Sequence, residues 1–329
     1  MKNITLREVC ERLLANDNIL LITHKNPDGD AVASVASMYG ILKKLGKNVC
    51  VVFPDEPVER LGFISGDMEY YTWDNRDKIP FSDFIVSLDC AASSRFGRLE
   101  GEFADKVNLS IDHHASNTPF AGETYTKADA SATCEIIYDI FTELVAIGAA
   151  DFFDSDIFYK IYAGIASDTG NFKYSNTTSH TFRACAELLE YGIDIAEISR
   201  LLFDSTPLNK LKAEAIAAER LEVFANGKAA IVTIPKSVLE ENGLTYEDFD
   251  DCVNVARRVS GVEIGAYVRV SDMGGYKISL RANAYADVAA ICAKYNGGGH
   301  IRAAGCTVVT DGIDEATKII KKEIETVLN

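Results

Sequence analysis

The chain has 329 residues, 47% hydrophobic and 25% charged, with 33 Lys and Arg against 49 Asp and Glu, a formal net charge of −16. Such a composition describes a globular protein of about two domains, and it excludes disordered, collagenous and solenoid chains. The acidity argues against coating duplex nucleic acid or an anionic membrane through a general field, and no window approaches the roughly 18 apolar residues of a membrane span.

The N-terminus, Met1 to Val9, has Glu8 where a signal peptide needs its apolar stretch, so a cytoplasmic chain is expected. Residues 18–23 read as a strand, and 30–45 as a helix stopped by Gly46. Residues 48–53, 83–88 and 107–111 are further apolar runs, followed by helices around 130–146 and 155–167. Strands with little polar alternation, separated by helices, indicate a doubly wound α/β domain with a parallel sheet covered on both faces. From about 185 to 220 the chain reads as largely helical, interrupted near Pro207. Two hairpins come next, 220–234 around Asn226-Gly227 and 262–282 around Asp272-Met-Gly-Gly275. A helix near 286–295, a Gly-rich turn, a strand near 304–309 and a helix over 313–328 complete a smaller α+β unit with a mixed sheet. The expected division is a catalytic domain over 1–190, a helical linker over 191–215 and a second domain over 216–329. The eight cysteines, at 10, 50, 90, 134, 185, 252, 292 and 306, form no C-x-x-C pair and read as structural thiols of a reducing compartment.

Ligand sites in open parallel sheets lie beyond the carboxyl ends of the strands. After the first apolar run comes His24-Lys-Asn-Pro-Asp28-Gly-Asp30; after Leu88 comes Asp89; after Ile111 comes Asp112-His113-His114; and the helix over 155–167 leads into Ser167-Asp168-Thr-Gly170. Singly, these are turns, helix caps and hydrogen-bonded histidines. Together they place three of the chain's five histidines among five aspartates, a concentration of charge that is unfavourable unless cations neutralise it. An oxygen-rich set with a minority of imidazole suits a hard to borderline divalent ion, Mn²⁺ ahead of Mg²⁺ or Co²⁺. The surplus of carboxylates suggests two ions about 3.5–4 Å apart, an arrangement used for phosphoryl hydrolysis.

Near the C-terminus, Gly297-Gly298-Gly299-His300 is a flexible turn or a phosphate-binding nest, with Arg281 in the preceding strand as its partner. Arg95 and Arg98 are either substrate contacts or surface residues, and His180 is a weaker candidate. Most of the acidity, net −13, belongs to residues 1–210, whereas residues 252–302 carry seven basic residues against three acidic ones.

In their order, His24-x-x-x-Asp28-x-Asp30, Asp89, Asp112-His113-His114 and Ser167-Asp168-Thr-Gly resemble the four motifs of the DHH phosphoesterase superfamily. Gly297-Gly-Gly-His300 resembles the signature of the DHH-associated C-terminal domain. The resemblance spans about residues 18 to 309, and the combination is similar to the oligoribonuclease (nanoRNase) and pAp phosphatase group. It implies that His24, Asp28 and Asp89 hold one ion and Asp30, Asp89, His113 and Asp168 the other, with Asp89 as the bridge. His114 would face the scissile phosphate, Asp112 would orient the histidines, and Arg281 with Gly297, Gly298, Gly299 and His300 would grip the substrate from the second domain. The implied substrates are short RNA, dinucleotides such as pApA, or 3′-phosphoadenosine 5′-phosphate (pAp), cleaved to nucleoside 5′-monophosphates, with no membrane or long duplex as partner. A homodimer is compatible with the sequence. The rival readings are a stand-alone cyclic di-AMP phosphodiesterase and a catalytically silent nucleotide-binding regulator. A pyrophosphatase-like or exopolyphosphatase activity is disfavoured by the glycine loop, and a RecJ-like exonuclease by the chain length.

Overall fold

The computed structural model describes residues 2–271 and 274–328, and the chain divides into two units, Met1–Ser205 and Thr206–Asn329. The first unit carries β1 (Lys2–Asn3), β2 (Asn18–Ile22), β3 (Asn48–Phe53), β4 (Tyr71–Thr72), β5 (Phe84–Leu88), β6 (Leu109–Asp112) and β7 (Glu123–Thr126). All pair in parallel, in the order β1-β7-β6-β5-β2-β3-β4. Strand periodicity sends Ile19, Leu21, Val51, Phe53 and Val86 into one core and Leu20, Ile22, Val52 and Ile85 into another, where Phe96, Leu99 and Phe103 cover them. Burial on both faces is why these strands read as unbroken apolar runs, and each fully buried Leu or Ile contributes about 1.5–3 kcal/mol.

The larger core is closed by the helices Leu6–Ala15, Gly29–Lys44, Thr133–Ala146 and Ser155–Asp168. The first was not predicted; it opens on a reciprocal capping box between Thr5 and Glu8. The expected helix at 130–146 begins at Thr133. β1 and β4 are short edge strands and β7 is a short strand between β1 and β6, none with a strong apolar signal. β2 pairs with β3 on one side and β5 on the other, so the strand order reverses there and the sheet offers a crevice at the carboxyl ends of β2 and β5.

In the stretch expected as a linker, Ile198 packs into the first unit's core, while Ala213 of the helix Leu208–Glu219, which runs on past that stretch, packs into a core of the second. The second unit contains β8 (Leu221–Phe224), β9 (Ala229–Ile234), β10 (Ile264–Val270), β11 (Tyr276–Ala282), β12 (Gly298–His300) and β13 (Ala303–Val308). Their order is β12-β13-β11-β10-β9-β8, antiparallel except for β9 with β10. The helix Ile313–Leu328 buries Ala316, Ile320, Ile324 and Leu328, a helical stripe, in the core formed with Ala266 and Val268 of β10 and Ile231 of β9. Asp272 and Met273 of the second predicted hairpin turn lie outside the described residues; its two strands pair antiparallel. Among the described residues no helix is long and apolar enough to cross a membrane, and all eight cysteines are free thiols.

Candidate metal centre

The reversal of strand order gathers the strand-end motifs. His24 follows β2, Asp89 follows β5, and Asp112 ends β6 with His113 and His114 directly behind it. Asp28 is the N-cap of the helix Gly29–Lys44, its Oδ1 accepting from the Ala31 N–H, and Asp30 lies in that helix's first turn. Asp168 ends the helix Ser155–Asp168. The two helices meet because Gly29 has no side chain: a Cβ there would lie 2.2 Å from Ser167 Oγ. That contact brings the Asp28-Gly-Asp30 turn up to the Ser167-Asp168 turn.

Three groups of potential ligand atoms result: His24, Asp28 and Asp89; Asp30, His113 and Asp168; and Asp89, His113 and His114. Asp89, 3% exposed, belongs to two of them. Its Oδ2 lies 3.7 Å from His24 Nε2, and its Oδ1 lies 3.7 Å from His113 Nε2. His24 Nε2 is also 3.9 Å from Asp28 Oδ2, and His113 Nε2 is 3.4 Å from Asp168 Oδ2. The other ring nitrogens face backbone carbonyls, His24 Nδ1 that of Lys25 at 2.8 Å and His113 Nδ1 that of Ala130 at 3.2 Å. A carbonyl only accepts, so both rings carry the proton on Nδ1 and turn the Nε2 lone pair towards the carboxylates.

His114 differs. Its Nδ1 lies 2.7 Å from Asp112 Oδ1, and Asp112 is fully buried and also accepts from the His113 N–H and the Asn117 side chain. The bond to Asp112 pushes the His114 pKa up to about 9. With Nδ1 engaged in this way, His114 offers Nε2–H as a donor, so the third group is a poor ligand set for an ion.

Without an ion the carboxylates are strained. Burial raises the Asp30 pKa well above the ordinary range, and Asp89, Asp168 and Asp28 raise it further. Asp168 is pushed up to about 6, first by burial and then by Asp89 and Asp28, although His113 opposes this. Burial would raise Asp89 as well, but His24 and His113 hold it below its usual value. Cations supply what this donor set lacks, so the residues present fit a divalent metal centre.

Arg95 Nη2 lies 3.3 Å from His24 Nδ1, at the edge of the cluster. Arg98 pairs with Asp55 and lies over Trp73. His180 is bonded to Asp139, which also holds Lys127, and belongs to none of the three groups. Sequence reasoning missed Thr133, whose hydroxyl donates to Asp89 Oδ1 at 2.9 Å and whose N–H donates to Asp30 Oδ2 at 2.6 Å. The only sequence signal was its place where a helix begins.

In the second unit, Arg281 and His300 are both in register with Ala303, on β11 and β12 either side of β13, so they share one face and one row of the sheet. The expected Gly-rich turn is partly edge strand. Gly297 and Gly299 are required by close packing on β13, where a Cβ would meet Gly305 O at 2.3 Å and Ala303 O at 2.4 Å. Gly298 alone has open space before it. Of the seven basic residues over 252–302, Arg258, Lys294 and Arg302 bind Glu214, Glu323 and the Ala286 carbonyl. Arg269 and Lys277 are cross-strand partners and line a cavity of about 630 Å³ together with Gly297, Gly298 and Thr307.

Residues 18–165 match the family model described as the DHH family, N-terminal domain, and residues 226–326 match the DHHA1 domain. A protein of Thermus thermophilus named bifunctional oligoribonuclease and PAP phosphatase NrnA is 32% identical over 94% of this chain and 90% of its own length. One of the same name from Bacillus subtilis is 28% identical over 95% and 96%. The crystal structure of an exopolyphosphatase-related protein from Bacteroides fragilis superposes with a TM-score of 0.87 at 23% identity, covering 98% of this chain and 96% of that one, a likeness of fold.

Proposed function

This chain belongs to the DHH family, and on that premise we propose that it is a manganese-dependent phosphoesterase acting on short oligoribonucleotides, dinucleotides such as pApA, and pAp. The products are nucleoside 5′-monophosphates and, from pAp, AMP and phosphate. The relatives' names support the substrate class. The observation that carries the chemistry is the convergence of His24, Asp28 and Asp89 beside Asp30, His113 and Asp168 at one end of the parallel sheet.

His24, Asp28 and Asp89 hold one ion, and Asp30, His113 and Asp168, with Asp89 between the two sets, hold the other. When bound, the ions lower the pKa of a water and offset charge on the phosphoryl oxygens. His114 donates from Nε2 to a phosphoryl or leaving-group oxygen, and buried Asp112 keeps its ring oriented and charged for that task. Arg281, His300 and the glycine run of the second unit bind a phosphate or base of the substrate. Net acidity does not oppose this chemistry, because the ions offset about four of the negative charges on the catalytic unit.

The test is release of nucleotide or phosphate by the purified protein with Mn²⁺ from pApA, a five-nucleotide RNA, pAp and cyclic di-AMP under identical conditions. Turnover of the first three supports the reading. Turnover of cyclic di-AMP alone supports the rival phosphodiesterase, and inertness towards all four overturns the assignment.

A further inference from the structure

The helix Thr133–Ala146 has no cap of its own, since Ala132 at the N-cap offers no side-chain acceptor. Its first N–H groups instead meet Asp30, which is distant in sequence: Thr133 N donates to Oδ2 at 2.6 Å, and Cys134 N donates to Oδ1 at 3.0 Å. Helix N-termini favour a negative partner, and this helix of 14 residues takes its partner from the carboxylate cluster. Thr133 adds its hydroxyl, donated to Asp89 Oδ1 at 2.9 Å. One fully buried residue thus holds the two most buried carboxylates of the three ligand groups.

The consequence lies in the torsion of Asp89. Its Oδ1 faces His113 and its Oδ2 faces His24, so the plane of the carboxylate decides whether each ligand group receives one oxygen. That terminal torsion is intrinsically soft. Among the described residues, Thr133 is the only hydroxyl or amide side chain donating to it, and Thr133 is stiff at χ1 because it is β-branched. A charge-assisted O–H···O⁻ bond from a stiff donor is well suited to setting that plane.

We infer that Thr133 is a positioning residue that aligns the Asp89 carboxylate so that one oxygen serves each ion, and that the second ion binds tightly only when its hydroxyl is present. The inference rests on the two-ion reading above. In Thr133→Val the shape and the N–H to Asp30 remain and only the hydroxyl is lost; Thr133→Ser keeps the hydroxyl.

Mn²⁺ is titrated into metal-free wild-type, Thr133→Val and Thr133→Ser protein, followed by calorimetry and electron paramagnetic resonance. Wild type is expected to bind two ions with a spin-coupled spectrum. Val is expected to keep the first ion, to weaken the second by about 10–100-fold, the usual effect of losing an outer-shell partner, and to show an isolated Mn²⁺ spectrum. Ser is expected to restore coupling. If Val fails to fold, Thr133→Ala carries the same expectation. Two coupled ions in Val or Ala at wild-type affinity overturn the role of Thr133. A wild type that binds fewer than two ions overturns the two-ion reading instead.

Discussion

Asp89→Asn removes one charge and almost no volume. Asp89 stands 3.7 Å from both His24 and His113, so in the proposed scheme its carboxylate lies between the ions. Two divalent cations about 4 Å apart repel by about 17 kcal/mol at an effective dielectric near 20, and a carboxylate about 2.2 Å from each attracts the pair by about 30 kcal/mol at the same dielectric. The neutral amide removes that attraction and leaves the repulsion to be offset by Asp28 on one side and by Asp30 and Asp168 on the other, so the second ion binds far more weakly. Bound Mn²⁺ is therefore expected to fall from two ions per chain to one, and kcat for pApA by at least about 10³-fold, or about 4 kcal/mol of transition-state stabilisation. The backbone is not the cause: Asp89 has φ 56°, a left-handed conformation that Asn also tolerates, and the Asn oxygen still accepts from Thr133. Metal content by mass spectrometry, AMP release by chromatography and a melting curve make the comparison. A folded variant holding two ions with more than about a tenth of wild-type kcat refutes the reasoning.

Three further outcomes are expected. In metal-free protein Asp168 is raised from 3.8 to about 6, so the folded state holds an extra proton between those values. Its contribution to stability is favourable below the unfolded pKa and is lost as pH rises through 6, while Mn²⁺ affinity falls as pH is lowered from 7 to 5; calorimetric titrations across this range check both signs. Glu263, 6% exposed, accepts N–H bonds from Ala284, Tyr285 and Ala286. Burial would raise its pKa, but these bonds hold it down, so its stabilisation is present above the usual Glu value and lost as pH falls through the lowered one. Glu263→Ala orphans those donors and is expected to destabilise the second unit by about 2–4 kcal/mol, read by hydrogen exchange over 284–286. Arg281→Ala and His300→Ala are expected to raise KM for pAp about 10–100-fold, the loss of a charge-assisted contact, with Mn²⁺ stoichiometry unchanged; an unchanged KM removes both residues from substrate binding.

Much of the catalytic unit was legible in the chain because its central strands are buried on both faces. No charged residue lies within β2, β3 and β5 and polar ones do not alternate along them, so each reads as an apolar run, and a charged residue shortly after such a run marks the strand's carboxyl end. His24, Asp89 and Asp112-His113-His114 stand out for that reason. The strands β1, β4 and β7 were not legible: their pairing comes from neighbours in the sheet and not from their own side chains. The helix Leu6–Ala15 did carry its signals, the Thr5–Glu8 capping box and the apolar stripe of Val9, Cys10 and Leu13.

The order of the motifs and the residue types that could hold a metal ion were legible in the sequence alone, because these depend on residue chemistry and on which side chains stand close behind each strand. Which imidazole nitrogen faces the carboxylates, which histidine is kept charged by the Asp112 carboxylate, and which glycines pack tightly on β13 were decided only by tertiary structure. The partners are set by strand order and packing, the Ala130 carbonyl for His113, β13 for Gly297 and Gly299, and Asp30 for the start of the helix at Thr133, whereas His24 turns on the carbonyl of its own neighbour Lys25. A hydrogen bond across about a hundred residues has no local signature, and it is such bonds that fix these aspartates and histidines in an arrangement that could hold a metal.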